Sequence, residues 1–338
     1  MKNIFLTVDT ECHDFNKVNQ YIYGKKKNES WGIKKILELA ESEQITVNFF
    51  LDVGECKVYG DEFIQNIVDI IHDYEQPIFF HLHPDYISKD PNRTFLWMYS
   101  YDEKKAILEE AYEIYRRFTG IQDKLVFRVG RYGIDKELVD ILNELSINIL
   151  DLSYICDAPK MCHLSKKEIG VSNCATRIGN VTILPTTRFI GFDFFGITRC
   201  IGLDSADATL NEFKSILRKT KLSNIVWTMH SWDFIRKWFF LPKYFMGDKM
   251  MVRKFKKSVK FAKENGFSFG NLNDYQFTID DDELINLCNT PSGKILGIVN
   301  NFLRFQKIAR LNKKYFSLYM IFYALCLAIA TTLLVIMI

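Results

Sequence analysis

The sequence lacks three features that would each indicate a class of protein. Its basic residues exceed its acidic ones by only three in 338 residues, too few for the basic field of a nucleic-acid-binding protein. Its eight cysteines show no close pairing of the kind that holds a metal. The apolar run at the N-terminus is about five residues long and is broken by Asp9, so it is not a signal peptide. We therefore expect no nucleic-acid partner and free thiols in a reducing compartment.

Acidic residues are also missing from the C-terminal end, where none follows Glu283. Six lysines and arginines lie there, and the last 24 residues, 315–338, carry no charge. A helix of that length rises roughly 36 Å at about 1.5 Å per residue, more than the bilayer core of about 30 Å. Basic residues beside a transmembrane helix stay in the cytoplasm. The sequence therefore predicts a single-pass membrane protein with a cytoplasmic body and a C-terminal anchor; a buried core helix is the alternative.

Short apolar runs alternate with amphipathic stretches through the first 270 residues or so. The runs predicted as strands are 3–8, 46–51, 77–82, 124–129, 147–152 and 224–229. The stretches predicted as helices are 31–43, 61–74, 102–118 and 135–145. Such alternation is typical of parallel strands joined by right-handed crossovers. In these folds the reactive groups gather at the carboxyl ends of the strands.

Polar side chains cluster where several predicted strands end. Asp9 and Glu11 end the first strand, and His81 and His83 end the third. Alternate residues of a strand face the same side, so the members of each pair can point together. Two imidazoles and a carboxylate form a metal site that leaves positions open for water and substrate. The sequence therefore predicts a metal site at Glu11, His81 and His83, in which His13 is an alternative to Glu11.

Five segments in order resemble the motifs of the polysaccharide deacetylase, or NodB-homology, family. They are LTVDTE at 6–11, HLHP at 81–84, FRVGRYG at 127–133, LDLS at 150–153 and WTMHSW at 227–232. The familiar members have two adjacent aspartates and space the two histidines four residues apart. The Asp-x-Glu start and the His-x-His-Pro segment here are similar to a divergent branch of the family. The resemblance covers about residues 1–275.

The resemblance implies catalytic roles for four side chains. Asp9 corresponds to the general base, and an arginine beside it keeps it ionised. Arg128 is the expected partner and Arg131 the alternative. His230 corresponds to the acid that protonates the leaving amine, and Asp151 lies where a supporting aspartate steers that histidine.

The resemblance also implies the fold and the metal. The expected fold is α/β, a distorted (β/α) barrel of about seven parallel strands, followed by the C-terminal transmembrane helix. A divalent ion, with zinc the first expectation, would be bound by Glu11, His81 and His83. The backbone amide of Tyr132 would donate to the developing oxyanion.

The predicted organisation has four parts. The barrel covers residues 1–276, a linker covers 277–294, a basic amphipathic juxtamembrane helix covers 295–314, and the transmembrane helix covers 315–338. Because the last two parts would hold the barrel at a membrane, the expected substrate is lipid-linked.

The predicted activity is metal-dependent removal of an N-acetyl group from a sugar, in a glycan precursor at the cytoplasmic membrane face. One alternative is a non-catalytic, membrane-tethered glycan-binding protein with the same fold. The other is a hydrolase of small cyclic amides, some of which share this barrel. The membrane tail argues against this last alternative, because a small soluble substrate needs no tether.

Overall fold

A central sheet surrounded by helices makes up most of the described chain. The computed structural model describes residues 2–12, 14–121, 124–145, 147–156, 158–165, 169, 173–194, 196–237, 244–278, 280, 284–311, 315, 317 and 321. The strands are β1 (Lys2–Thr10), β2 (Asn48–Asp52), β3 (Ile78–Leu82), β4 (Lys124–Val129), β5 (Asn148–Asp151), β6 (Thr176–Ile178), β7 (Val181–Ile183), β8 (Arg188–Phe194), β9 (Ile197–Gly202), β10 (Asn224–His230), β11 (Ile235–Lys237), β12 (Phe245–Gly247), β13 (Phe267–Phe269) and β14 (Ile285–Asn286). The helices are α1 (Ile33–Glu43), α2 (Cys56–Tyr59), α3 (Asp61–His72), α4 (Pro84–Ser88), α5 (Tyr101–Thr119), α6 (Lys136–Glu144), α7 (Leu210–Lys219), α8 (Lys249–Glu264) and α9 (Pro291–Leu311).

Seven parallel strands, in the order β10-β1-β2-β3-β4-β5-β7, form the main sheet. β6 extends it antiparallel to β7, and β13 lies parallel to the first residues of β1. Helices connect the consecutive strands from β1 to β5, which is the alternation predicted from the sequence. The α/β class and all six predicted strands are confirmed, and with β13 the sheet has eight parallel strands where about seven were predicted.

Apolar side chains fill the space that this curved sheet encloses. One buried cluster takes a side chain from each of six neighbouring strands, namely Phe5, Phe50, Phe79, Val126, Leu150 and Val226. On the side of β10 that faces away from β1, the Thr187 side chain and the Leu203 backbone pair with the strand. The amide of Val226 donates to Thr187 Oγ1 at 3.0 Å, and the amide of Thr228 donates to the Leu203 carbonyl at 3.0 Å. These contacts join the ends of the sheet in the manner of a distorted barrel.

Local sequence signals fix the ends of α5, which supports the site from outside the barrel. Ser100 and Glu103 form a capping box at its start, and Gly120 ends it with a left-handed φ of 71°. Near its C-terminus the hydroxyl of Tyr115 donates to the carbonyl of Ile78 at 3.1 Å. The helix is therefore tied to the first residue of β3, the strand that contains His81 and leads directly into His83.

No helix among the described residues is long and apolar enough to cross a bilayer. This finding corrects the prediction of a C-terminal transmembrane helix and the single-pass membrane localisation that depended on it. The last helix with described ends, α9, packs on β8, and its Arg304 binds the protein body through Glu212 and the carbonyl of Asp207. The predicted span, 315–338, lies outside the described residues except at positions 315, 317 and 321.

Part of the segment predicted as a linker belongs to the described structure. β14 pairs in parallel with β8, and the amide and hydroxyl of Ser223 donate to Asp280 at 3.0 and 2.6 Å. α9 begins at Pro291, inside the predicted linker, and continues into the predicted juxtamembrane helix. The division of the chain into domains at residues 276 and 294 stays a prediction.

Candidate active site

Strand register brings the predicted polar residues to one edge of the barrel. At the end of β1, Asp9 lies opposite His230 of β10. On the other side of the opening, His81 of β3 lies between Asp52 of β2 and Arg128 of β4. Each of these residues is at or near the carboxyl end of its strand, so their side chains surround the same opening.

Glu11, His81 and His83 come together at this opening. The Nε2 atom of His83 lies 2.6 Å from Oε2 of Glu11, and the Nε2 atom of His81 lies 3.5 Å from the same oxygen. One ligand atom from each residue lies within 4.8 Å of the other two, and all three residues are buried. One carboxylate and two imidazoles are therefore close enough to share one divalent ion. His13, the alternative ligand, lies outside the described residues.

A backbone contact orients His81. Its Nδ1 atom lies 2.8 Å from the carbonyl oxygen of Arg128, so Nδ1 donates a hydrogen bond to that carbonyl and Nε2 faces Glu11. Burial by itself lowers the pKa of His81, but the carboxylates of Glu11, Asp9 and Asp52 outweigh it and raise that pKa to about 9. Negative charge that stabilises a proton here also stabilises a divalent cation in its place.

His83 has a second contact that competes with metal binding. The Nη1 atom of Arg131 donates to His83 Nδ1 at 2.8 Å and to the Thr94 carbonyl at 3.0 Å. Because arginine can only donate, Nδ1 accepts and Nε2 carries the proton toward Glu11. Metal binding through Nε2 requires the other tautomer, in which Arg131 keeps the Thr94 carbonyl and Asp85 as partners. A Cβ atom at Gly130 would lie 2.6 Å from the His83 ring, so glycine leaves room for the ligand.

Two buried acids that the sequence analysis missed accept hydrogen bonds from backbone amides at or next to the candidate ligands. Asp52 Oδ1 accepts from the amide of His83 at 3.4 Å, and Glu55 accepts from the amide of Cys12, the residue after Glu11. Burial raises the pKa of Asp52 to about 6, and it raises the pKa of Glu55 well above its usual range. The available signal was position, since Asp52 follows the second predicted strand as the other site residues follow theirs.

A buried arginine holds Asp9. Arg128 is 1% exposed, and its Nη1 atom donates to Asp9 Oδ1. Its Nη2 atom donates to Thr7 Oγ1 at 3.0 Å, and its guanidinium carbon lies 4.4 Å from the centre of the Phe50 ring. These contacts fix the guanidinium beside the Asp9 carboxylate, with which it forms a buried ion pair. Arg131, the alternative partner of Asp9, makes its polar contacts elsewhere.

His230 borders the opening opposite the histidine pair. Its ring stacks on Trp232 with 4.7 Å between centroids and 23° between planes, and its Nδ1 atom lies 3.8 Å from Oδ2 of Asp204. Burial lowers the pKa of His230, but the charges of Asp204, Asp233 and Asp9 outweigh it and raise that pKa above its ordinary value. The imidazole is therefore protonated up to a higher pH than usual, as suits a proton donor.

Asp151 does not lie beside His230 as predicted. Its Oδ1 atom accepts from the amide of Ser153 at 2.5 Å, and its Oδ2 atom has no hydrogen-bond partner among the described residues. Burial raises the pKa of Asp151 to about 6. Asp204 occupies the position beside His230 instead. It follows β9 in a region without an interpretable pattern, and the sequence analysis missed it.

Tyr132 lies in a strained turn at the edge of the opening. Arg131 and Tyr132 both have left-handed backbone, each with a φ of 55°. Consecutive left-handed residues other than glycine are costly, and such strain concentrates at functional sites. Burial raises the pKa of the Tyr132 phenol to about 12, so the hydroxyl stays protonated. The predicted role of its backbone amide stays a prediction.

A cavity of about 560 Å³ joins these groups. Its wall consists of Asp9, Glu11, His81, His83, Asp85, Tyr86, Arg128, Val129, Arg131, Tyr132, Met161 and His230. Seven of the eight predicted site residues therefore line it, and Asp151 is the exception. The candidate acid His230, the candidate base Asp9 and the three candidate metal ligands thus face one cavity, which can hold a sugar unit.

Comparison with solved structures identifies the fold. A protein from Mycobacterium smegmatis that is assigned as a polysaccharide deacetylase is 14% identical to this chain, with a TM-score of 0.50. The match covers 83% of this chain and 94% of that protein's chain. PdaA of Bacillus subtilis, a family 4 carbohydrate esterase, is 15% identical, with a TM-score of 0.42, over 81% of this chain and 80% of its own. The chain has the polysaccharide deacetylase fold.

At the level of the fold, the resemblance carried by the five sequence motifs is confirmed. No protein-family model and no curated relative matches the chain.

The donor set fits a divalent ion by its own chemistry. The three candidate ligands are buried and adjacent, His81 already presents Nε2, and carboxylates surround both histidines. A mixed nitrogen and oxygen set of three protein ligands is typical of a catalytic zinc site.

Proposed function

We propose that this chain is a metal-dependent hydrolase of the polysaccharide deacetylase family, which removes the N-acetyl group from a sugar. The observation that carries the proposal is the meeting of Glu11, His81 and His83 with Asp9 and His230 around one cavity. A metal cluster by itself would suit many functions. A group of metal ligands with the carboxylate of Asp9 and the imidazole of His230 beside it suits amide hydrolysis.

Each of these residues has one role in the proposed reaction. Asp9, held in place by Arg128, takes the proton from the attacking water. His230 donates a proton to the nitrogen as the carbon–nitrogen bond breaks, and the backbone amide of Tyr132 donates to the oxyanion. A divalent ion held by the three ligands, zinc in the first instance, would supply Lewis acidity for the water and the carbonyl. Water and amide yield acetate and a free amino sugar.

The lipid-linked substrate expected from the sequence loses its main support. That expectation depended on a membrane anchor, and no described helix can cross a bilayer. The proposed substrate is therefore an N-acetylated sugar or glycan.

Acetate release tests the proposal. The purified protein, incubated with zinc, should release acetate from N-acetylglucosamine oligosaccharides, and a chelator should stop the release until zinc is restored. Sugar binding without acetate release under any divalent metal would favour the glycan-binding alternative. Hydrolysis of a cyclic amide but not of the acetylated sugar would favour the other alternative.

Replacing Asp204 by asparagine should shift the pH dependence of this reaction. The Asp204 carboxylate raises the pKa of His230, and a proton donor works only while it is protonated. Without that charge the pKa of His230 falls, so activity should be lost at a lower pH on the alkaline side and change little on the acidic side. The pH profile of kcat/KM measures this.

Asp207→Asn is the matched control, because Asp207 lies exposed in the same loop. Its profile should match that of the wild type. An alkaline limb that does not move in Asp204→Asn would show that Asp204 does not act on the proton donor.

A further inference from the structure

A lysine ammonium is enclosed by aromatic rings near the candidate acid. The Nζ atom of Lys237, the last residue of β11, lies 3.5 Å from the centre of the Tyr21 ring and 5.2 Å from that of Trp232. The two rings meet edge to face, with 5.1 Å between centroids and 90° between planes. Trp232 in turn stacks on His230. Lys237 is therefore separated from the candidate acid by a single indole ring.

Among the residues that the structure describes, no carboxylate lies within ion-pair distance of the Lys237 ammonium. The carboxylate of Asp233 acts on Lys237 only from a longer distance. Burial lowers the pKa of Lys237 to about 7, which reflects the cost of holding a charge there. Ring faces offset that cost only in part, whereas a bound anion would offset it well.

Trp232 connects this cation to the site, because its indole ring stacks on His230, which lines the cavity. Tyr21 is close enough to Glu11 and to Lys17 for their charges to act on its hydroxyl, and Lys17 also acts on Lys237. Lys17 already pairs with Asp14 at 2.7 Å, which leaves Lys237 as the cation available to a ligand beside the site. Cationic and aromatic groups together suit a sugar ring that bears a negative charge.

We infer that Lys237, in the ring pair of Tyr21 and Trp232, binds an anionic substituent of the substrate. The inference rests on the proposed function and narrows its substrate class to N-acetylated sugars that carry a phosphate or a carboxylate near the acetamide. Neutral N-acetylated sugars leave the Lys237 charge uncompensated and are poorer substrates.

Matched substrates test this inference. N-acetylglucosamine 1-phosphate and N-acetylmuramic acid are the two anionic probes, and N-acetylglucosamine is the neutral one. In the wild type, kcat/KM for acetate release should favour at least one anionic probe over the neutral probe by about tenfold, the size of a charge-assisted contact. Lys237→Gln should bring that ratio close to one, and Lys237→Arg should retain most of it. The preferred probe shows whether phosphate or carboxylate is recognised.

Lys25→Gln is the control, because Lys25 also lies over a ring, Tyr23 at 5.1 Å, but is exposed. This variant should keep the wild-type ratio of kcat/KM between the anionic and the neutral probes. Equal ratios in the wild type and Lys237→Gln would overturn the inference and leave the proposed function standing. If no probe releases acetate, calorimetric titration of the same probes decides: weaker anionic binding in Lys237→Gln supports the inference, and unchanged binding rejects it.

Discussion

Replacing His81 and His83 together by alanine is expected to abolish metal binding and to lower acetate release by roughly 10³-fold or more, the scale on which a catalytic metal contributes. The two imidazoles supply two of the three candidate donors, and Glu11 alone cannot hold a divalent ion tightly. Elemental analysis of the purified protein after incubation with zinc measures the first effect directly, and the acetate assay measures the second.

His72→Ala is the control for this experiment, because His72 is exposed at the end of α3. It should bind as much zinc as the wild type. Since both replaced histidines are buried, circular dichroism must show that the double variant keeps its fold. A folded double variant that still binds one equivalent of zinc would contradict the proposed ligand set.

The strands and the meeting of the three candidate metal ligands were predictable because their signals are local. The apolar run that forms β3 ends in His81 and His83, and alternation along a strand places both imidazoles on one side. Parallel strands then bring Glu11 to the same edge without further information. These residues therefore followed from the spacing of residue types and from the order of the predicted strands.

Residues whose positions depend on distant contacts were not predictable in this way. Asp204 reaches His230 because the segment after β9 docks on β10, where Leu203 accepts from the amide of Thr228 and Ser205 donates to its carbonyl. Glu55 supports the metal site through a hydrogen bond to Cys12, 43 residues away in sequence. Neither contact has a sequence pattern of its own.

The error at the C-terminal end has a related cause. Hydropathy and length describe an isolated segment, and they carry no information about what the neighbouring helix packs against. α9 lies on β8, and its Arg304 pairs with Glu212 in the protein body.

Asp9→Asn is expected to lower kcat by about 10²- to 10⁴-fold, the usual contribution of a general base, while the protein still binds zinc. Asparagine keeps an oxygen that can accept from Arg128 but cannot take a proton from water. The combination of lost turnover and retained metal separates a base from a ligand, and it differs from the result expected for the histidine pair. Asp90→Asn is the control, since Asp90 pairs with Arg93 at 2.8 Å away from the cavity wall.

The same substitution should also destabilise the fold, because it leaves the buried charge of Arg128 without a carboxylate. Removing one partner of a buried ion pair typically costs about 3–5 kcal/mol of unfolding free energy, so Tm should fall clearly and kinetics must be measured well below it. Loss of zinc from a variant that is folded by circular dichroism would make Asp9 a ligand. An unchanged kcat would mean that another group takes the proton, and Glu11 is the carboxylate nearest in sequence that could do so.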